Sequence, residues 1–207
     1  MFKSIILLLL SGEFICGVTH PDEFNYLQNE GVRQEIDGYL ARIGRRLGVT
    51  RNEVAFYAAH TQIGPEERHE ARSVFKEIKR DIRPIAKFLI LVMQAQRSDM
   101  TLFSGDTLRF YELLSRIEES SHLADELNSF ANLGNDYASS DMSVRAMLDK
   151  LLNRLMKNGY LIVDRERDLY TLTGKFDYLQ EAIDFLMENE EEITQTSQEA
   201  PEQDSLL

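Results

Sequence analysis

The sequence predicts a mainly α protein with small β-hairpins, an α+β fold in which amphipathic helices run directly into short strand pairs. Three observations predict it. Apolar residues recur at helical spacing over most of the chain. Two separate passages repeat one plan of helix, glycine and hairpin. Helix breakers are sparse, with 4 prolines and 11 glycines in 207 residues.

The later passage is the clearer. Val144, Met147, Leu148, Leu151, Leu152 and Leu155 form one helical stripe, with Ser140 or Asp141 able to cap its start and Lys157-Asn158-Gly159 ending it. Tyr160 to Val163 reads as a strand, Asp164 to Asp168 as a charged turn, and Leu169 to Thr173 as the return strand. In the earlier passage Val32, Ile36, Tyr39, Leu40, Ile43 and Leu47 form the stripe and Gly48 is the expected C-cap. Val49 to Ala59 is then a hairpin, turning at Thr50-Arg51-Asn52-Glu53 with Val54, Phe56 and Tyr57 returning.

A helix feeding a hairpin is the back half of a winged helix, so the expected architecture is two winged-helix domains in tandem. The front halves follow. Residues 2–11 and 21–29 supply the first two helices of domain one, with Glu13 to Gly17 as its short strand. For domain two, Ile82 to Gln96 is a strongly apolar first helix, and Asp106 to Glu118 and Leu123 to Asn132 supply further helices. The expected domains are 1–62, a charged helical connector at 63–81, 82–175, a terminal helix at 176–190 carrying Phe176, Leu179, Ile183 and Leu186, and a disordered acidic tail at 191–207.

Composition narrows the class. At 43% hydrophobic and 28% charged, this is globular material that can bury a core. The lone Cys16 excludes a disulfide framework and a four-cysteine zinc site, reads as a small buried hydrophobe, and fits a reducing compartment. Met1 to Leu10 imitates a signal peptide, but Gly12-Glu13 ends the run without a small-x-small cleavage site, and Glu13 and Phe14 spoil a lipoprotein-type site at Cys16. The run is too short for a bilayer and is expected to be a buried first helix of a cytoplasmic protein. No membrane association is expected.

Net charge is −12, from 35 acids and 23 bases. Glu188 to Leu207 holds seven acids and no base, which leaves 28 acids against 23 bases elsewhere, a net of −5. Basic faces can exist on so mildly acidic a body. Chemistry is not signalled. There is no phosphate loop, dinucleotide fingerprint or Gly-x-Ser-x-Gly, and His69-Glu70 lacks the second histidine of a zincin helix. His20, His60, His69 and His122 are scattered. No catalytic residue, metal or cofactor is expected.

Two basic sets remain. Arg42, Arg45 and Arg46 stand at i, i+3 and i+4 on the first expected recognition helix, with Arg51 in the turn beyond. Lys150, Arg154 and Lys157 stand at i, i+4 and i+7 on the second, with Arg165 and Arg167 in its turn and Lys175 further on. Cations along a helix and in the adjoining turn suit phosphate contact that is salt-sensitive and tolerant of sequence. The plainer reading is a solvated face, and Asp149, Glu166 and Asp168 intermix with the second set.

These passages resemble a family. Leu10-Ser11-Gly12-Glu13-Phe14-Ile15, Phe24-Asn25-Tyr26-Leu27 and Ile36 to Phe56-Tyr57 are similar to the first winged helix of MukE/MksE subunits. Met147 through Leu172-Thr173-Gly174-Lys175 is similar to their second. These are the small KITE subunits of bacterial condensin-like SMC complexes, among them the MksBEF and Wadjet systems. The resemblance covers most of residues 1–190 and rests on diffuse patterns. It implies a homodimer that binds a MukF/MksF-like kleisin, through it a MukB/MksB-like SMC ATPase, and double-stranded DNA. The role is chromosome organisation or plasmid defence, near the nucleoid. DNA contact carries over to Lys150, Arg154, Lys157, Arg165 and Arg167; the kleisin surface is undefined, with Phe176 and Leu179 of the terminal helix as one option.

Three rivals stand beside it. A winged-helix transcription regulator would read bases from one recognition helix per protomer. A structural adaptor would never touch DNA. An enzyme would act on nucleic acid without any signature the sequence carries.

Overall fold

The computed structural model describes residues 1–62, 64, 67–97, 102–141 and 143–188. These described residues are mostly helical, with two three-stranded antiparallel sheets among them.

The first unit opens with α1 (Phe2–Leu10), whose Ile5, Ile6 and Leu9 are buried while Leu7 and Leu10 face solvent. The expected buried helix is thus amphipathic, with one face in the core. β1 (Ile15–Cys16) and α2 (Pro21–Leu27) follow, the latter with Pro21 at its first position, where a missing N–H costs nothing. α3 (Glu30–Ala41) is capped by Asn29, whose side chain accepts from the Val32 N–H. β2 (Arg45–Val49) and β3 (Ala55–His60) form the hairpin, and the sheet order is β1-β3-β2. Ile5, Leu9, Ile15, Leu27, Ile36, Leu40 and Phe56 make its core.

Two expectations fail here. The helix carrying the Val32 to Leu47 stripe was expected to close at Gly48, but α3 ends at Ala41. Gly44, at φ 72°, turns the chain in the left-handed region that glycine favours, and Arg45 already belongs to a strand. Asp37 secures the switch by accepting the Leu47 N–H at 2.7 Å. Gly48 pairs with Tyr57 across the hairpin and lies under its ring, where a Cβ would sit 2.5 Å from the ring edge. The expected turn at Thr50 to Glu53 does occur. Buried Thr50 accepts from the Val54 and Ala55 N–H groups, and Glu53 takes φ 54°.

The expected connector and the first helix of the second unit are a single helix, α4 (Glu67–Gln96), with Pro84 inside it. The helix runs unbroken through 81/82. The expected helix at Asp106 to Glu118 is also divided: Thr107–Arg109 is β4, and α5 (Phe110–Glu118) begins after it. The three-residue β4 is too short for period-two alternation to be legible. α6 (Ser121–Asn128), a 3-10 turn (Ser129–Leu133), α7 (Val144–Lys157), β5 (Leu161–Asp164) and β6 (Leu169–Leu172) complete the unit. Its sheet order, β4-β6-β5, repeats that of the first. The core gathers Phe88, Leu91, Val92, Leu114, Ile117, Phe130, Leu148, Leu151, Leu152, Leu155, Leu172 and Phe176.

Asp81 is buried in this unit and fully engaged. Its carboxylate accepts from the Tyr160 hydroxyl at 3.0 Å, from Asn158 at 3.5 Å and from Arg80 at 3.1 Å, tying α4 to the end of α7. Burial first, and then the Asp81 charge, hold the Tyr160 phenol far above its ordinary range.

α8 (Gly174–Glu188) joins the two units, starting two residues before the expected terminal helix. The Gly174 N–H donates to Cys16 Sγ at 3.3 Å, so the lone cysteine is both a core residue and an acceptor. Tyr178 packs on Phe14 and Tyr57 with ring centroids 4.9 and 4.8 Å away. Lys175 donates to the Asn158 carbonyl at 2.8 Å and lies over the Tyr160 ring. The expected acidic tail at 191–207 lies outside the described residues.

Candidate nucleic-acid interface

α7 owes its placement to Met147, Leu148, Leu151, Leu152 and Leu155, all buried. Its N-cap is Ser143, whose hydroxyl accepts from the Ala146 N–H, in place of the expected Ser140 or Asp141; Asp141 instead accepts from the Ser143 N–H. The helix closes at Asn158, and Gly159 at φ 79° turns the chain into β5. Arg154 and Lys157 fall in its last turn, where the helix dipole favours cations.

The five residues expected to contact DNA here divide in two. Lys150 and Arg154 point to the loop before α7. Lys150 Nζ donates to the carbonyls of Asn135, at 3.2 Å, and Ala138. Arg154 pairs with Asp136 at 2.8 Å and keeps only 15% of its side chain in solvent. The Tyr137 phenol is pushed up by burial and pulled partly back by its hydrogen bond with Arg154. Lys157, Arg165 and Arg167 are exposed. They line the end of α7 and the β5–β6 turn.

The acids that intermix with this set shape the turn. Asp164 accepts from the Glu166 and Arg167 N–H groups at 3.1 and 3.2 Å, an Asx-type turn. Asp168 takes φ 52°, and its carboxylate accepts from the Tyr111 N–H at the start of α5. Arg167 Nε lies 3.6 Å from Asp164 with 79% of its side chain exposed. Such an exposed pair adds little stability and leaves the guanidinium available to a phosphate.

A cleft of 570 Å³ lies between α5, α7 and this hairpin. Arg145 covers the rings of Phe110 and Tyr111 at 5.5 and 5.4 Å and donates to the Tyr111 hydroxyl at 3.4 Å. That hydrogen bond raises the Arg145 guanidinium further above its ordinary range. Arg165 lines the same cleft. Reading the sequence missed Arg145 because it sits on the opposite flank of α7 from Lys150 and Arg154; the signal was an arginine at helical spacing from Asp149.

The first basic set is not brought together. Arg42 is the C-cap of α3, and Arg45 and Arg46 are neighbours on β2, so their side chains leave opposite faces of the sheet. Arg51 is turned towards α8: its N–H donates to Glu181 at 2.6 Å and its guanidinium lies 3.5 Å from Asp184. No metal-holding group of histidine, cysteine, aspartate and glutamate occurs among the described residues. Nor is any helix among them long and apolar enough to cross a membrane.

A family model described as condensin complex protein MksE matches residues 1–183. No curated protein matches the chain significantly.

Proposed function

The chain belongs to the condensin complex protein MksE family, and from that premise we propose that it is a non-catalytic accessory subunit of a bacterial SMC-type complex. It forms a homodimer, binds the kleisin subunit and, through the kleisin, the SMC ATPase. It also touches double-stranded DNA without reading its sequence, in chromosome organisation or plasmid defence at the nucleoid. The observation that carries this reading is the reach of the family match, which takes in both sheet-bearing units and most of α8. The ATPase of such a complex belongs to its SMC partner, so this subunit has no need of a phosphate loop.

We read each unit as a winged helix. The first has α3 as its recognition helix and β2–β3 as its wing; the second has α7 and β5–β6. What supports DNA contact by the second is the outward placement of Lys157, Arg165 and Arg167 around a turn that its own aspartates hold in shape. Such cations meet phosphates, and their loss weakens binding to all sequences alike.

The test is charge reversal at Lys157, Arg165 and Arg167 in the full chain, assayed by DNA titration of the assembled complex. The expected result is a Kd raised by about tenfold or more at moderate salt, with the kleisin still bound. Unchanged affinity on duplexes of any sequence would remove DNA contact by this surface and favour a structural adaptor.

A further inference from the structure

Helix α4 carries seven cations between positions 68 and 87: Arg68, Arg72, Lys76, Lys79, Arg80, Arg83 and Lys87. At 3.6 residues per turn these positions fall within about a third of the helix circumference. The core positions Ile85, Phe88, Leu91, Val92 and Ala95 lie on the other side, all buried. The acidic positions of the helix, Glu67, Glu70, Glu77 and Asp81, fall on that other side too. In a protein of net charge −12, the sorting leaves that face of α4, from Arg72 to Arg83, occupied by cations alone by position.

Side-chain placement divides the stripe. Arg80 is paired with Asp81, and Lys87 turns to Glu126 at 3.9 Å and to the Phe130 ring. Lys76, Lys79 and Arg83 are exposed. Along the axis, Lys76 to Arg83 spans about 10 Å. Duplex DNA presents roughly six phosphate charges over that length.

We propose that this face of α4 is a further DNA-contacting surface, separate from the end of α7, where Lys76, Lys79 and Arg83 meet the phosphate backbone of a duplex. The inference rests on the reading that this protein contacts DNA, and it names a surface which that reading did not. Charge complementarity selects the occupant. Three cations in line on a rigid helix match a regular row of phosphates. A peptide docking on a helix face needs apolar anchors, and the side chains on this face from Lys76 to Arg83 are all cations.

The experiment is a fluorescence-anisotropy titration of a labelled duplex of arbitrary sequence with the full chain, and with its purified complex, over a series of salt concentrations. The parent is compared with K76E/K79E/R83E and with the neutral K76Q/K79Q/R83Q. A melting curve for each protein checks that the fold is unchanged. The expected result is a Kd raised about tenfold or more by the reversal and less by the neutral variant. The plot of log K against log salt should become shallower by about 2–3 in the neutral variant, one increment per lost phosphate contact. If the parent binds DNA and both variants bind with its Kd and salt slope, the surface is not a DNA contact and the inference is overturned, the parent's binding lying elsewhere on the protein. If the parent does not bind DNA, alone or in the complex, the inference falls with the reading beneath it. If the variants keep DNA but lose a co-purifying subunit, the face docks an acidic protein and the inference is overturned.

Discussion

A Cβ placed on Gly174 would lie 2.4 Å from Ala55 Cβ and 2.9 Å from Cys16 Cβ, with the Val54 carbonyl at 3.3 Å. These neighbours are main chain or fixed directly to it, so none can swing aside. Gly174→Ala should therefore destabilise the protein by about 1–3 kcal/mol despite alanine's better helix propensity, as urea unfolding would measure. Three residues on, burial raises the Asp177 carboxyl above its ordinary value, only partly offset by the Ser104 N–H it accepts at 2.9 Å. Over the raised interval the native state binds more protons than the unfolded state. Stability therefore falls as pH rises from about 4 through the folded value. Asp177→Asn should remove that part of the fall in denaturation series run across this interval. A variant with the parent's pH slope would contradict the assignment.

Among the elements, α7 and its hairpin were legible because five buried leucine and methionine positions, a glycine stop and two short apolar runs agree. The end of α3 was not. Ile43 and Leu47 satisfy a helical period, yet Ile43 is 49% exposed and Leu47 projects from a strand. What decides there is Gly44 and the long-range bond from Leu47 to Asp37, and periodicity cannot see either. The candidate interface was half legible for the same reason. Spacing puts Lys150, Arg154 and Lys157 on one flank, but only contacts show that the first two brace the loop at 135–138. Arg154→Gln should lower stability by about 1–2 kcal/mol, chiefly through lost packing and the Tyr137 bond, since Asp136 is largely in solvent. Lys157→Gln should lower stability by under about 1 kcal/mol, the exposed dipole contribution, and act mainly on DNA binding. Thermal melts and titrations on the same two proteins separate these roles.

At the scale of the molecule, two similar units are fastened by a helix that belongs to neither sheet. Residues 14 and 57 meet residue 178, and residue 16 meets residue 174. Contacts separated by more than a hundred positions leave no local pattern in a sequence, so the join was not foreseen, although Gly174-Lys175 stood in the family-like motif. Tyr178→Ala should cost about 2 kcal/mol by opening the packing among Phe14, Tyr57 and Tyr178. Arg51→Ala should cost under about 1 kcal/mol, because its pair with Asp184 is exposed on both sides. Denaturant unfolding of the two variants gives that ranking directly. Within the second unit, Asp81 ties α4 to the end of α7 through Tyr160 and Asn158.

Membership of the MksE family makes partnership the central claim. The most direct measurement is a tagged pull-down of this chain co-expressed with the proteins encoded beside it, at moderate and at high salt, with light scattering on the eluate. A kleisin-like protein retained at both salts, with this subunit present as a dimer, is the predicted result. A monomer that retains no neighbour, and that instead gives a tight sequence-specific footprint on DNA by itself, would contradict the account.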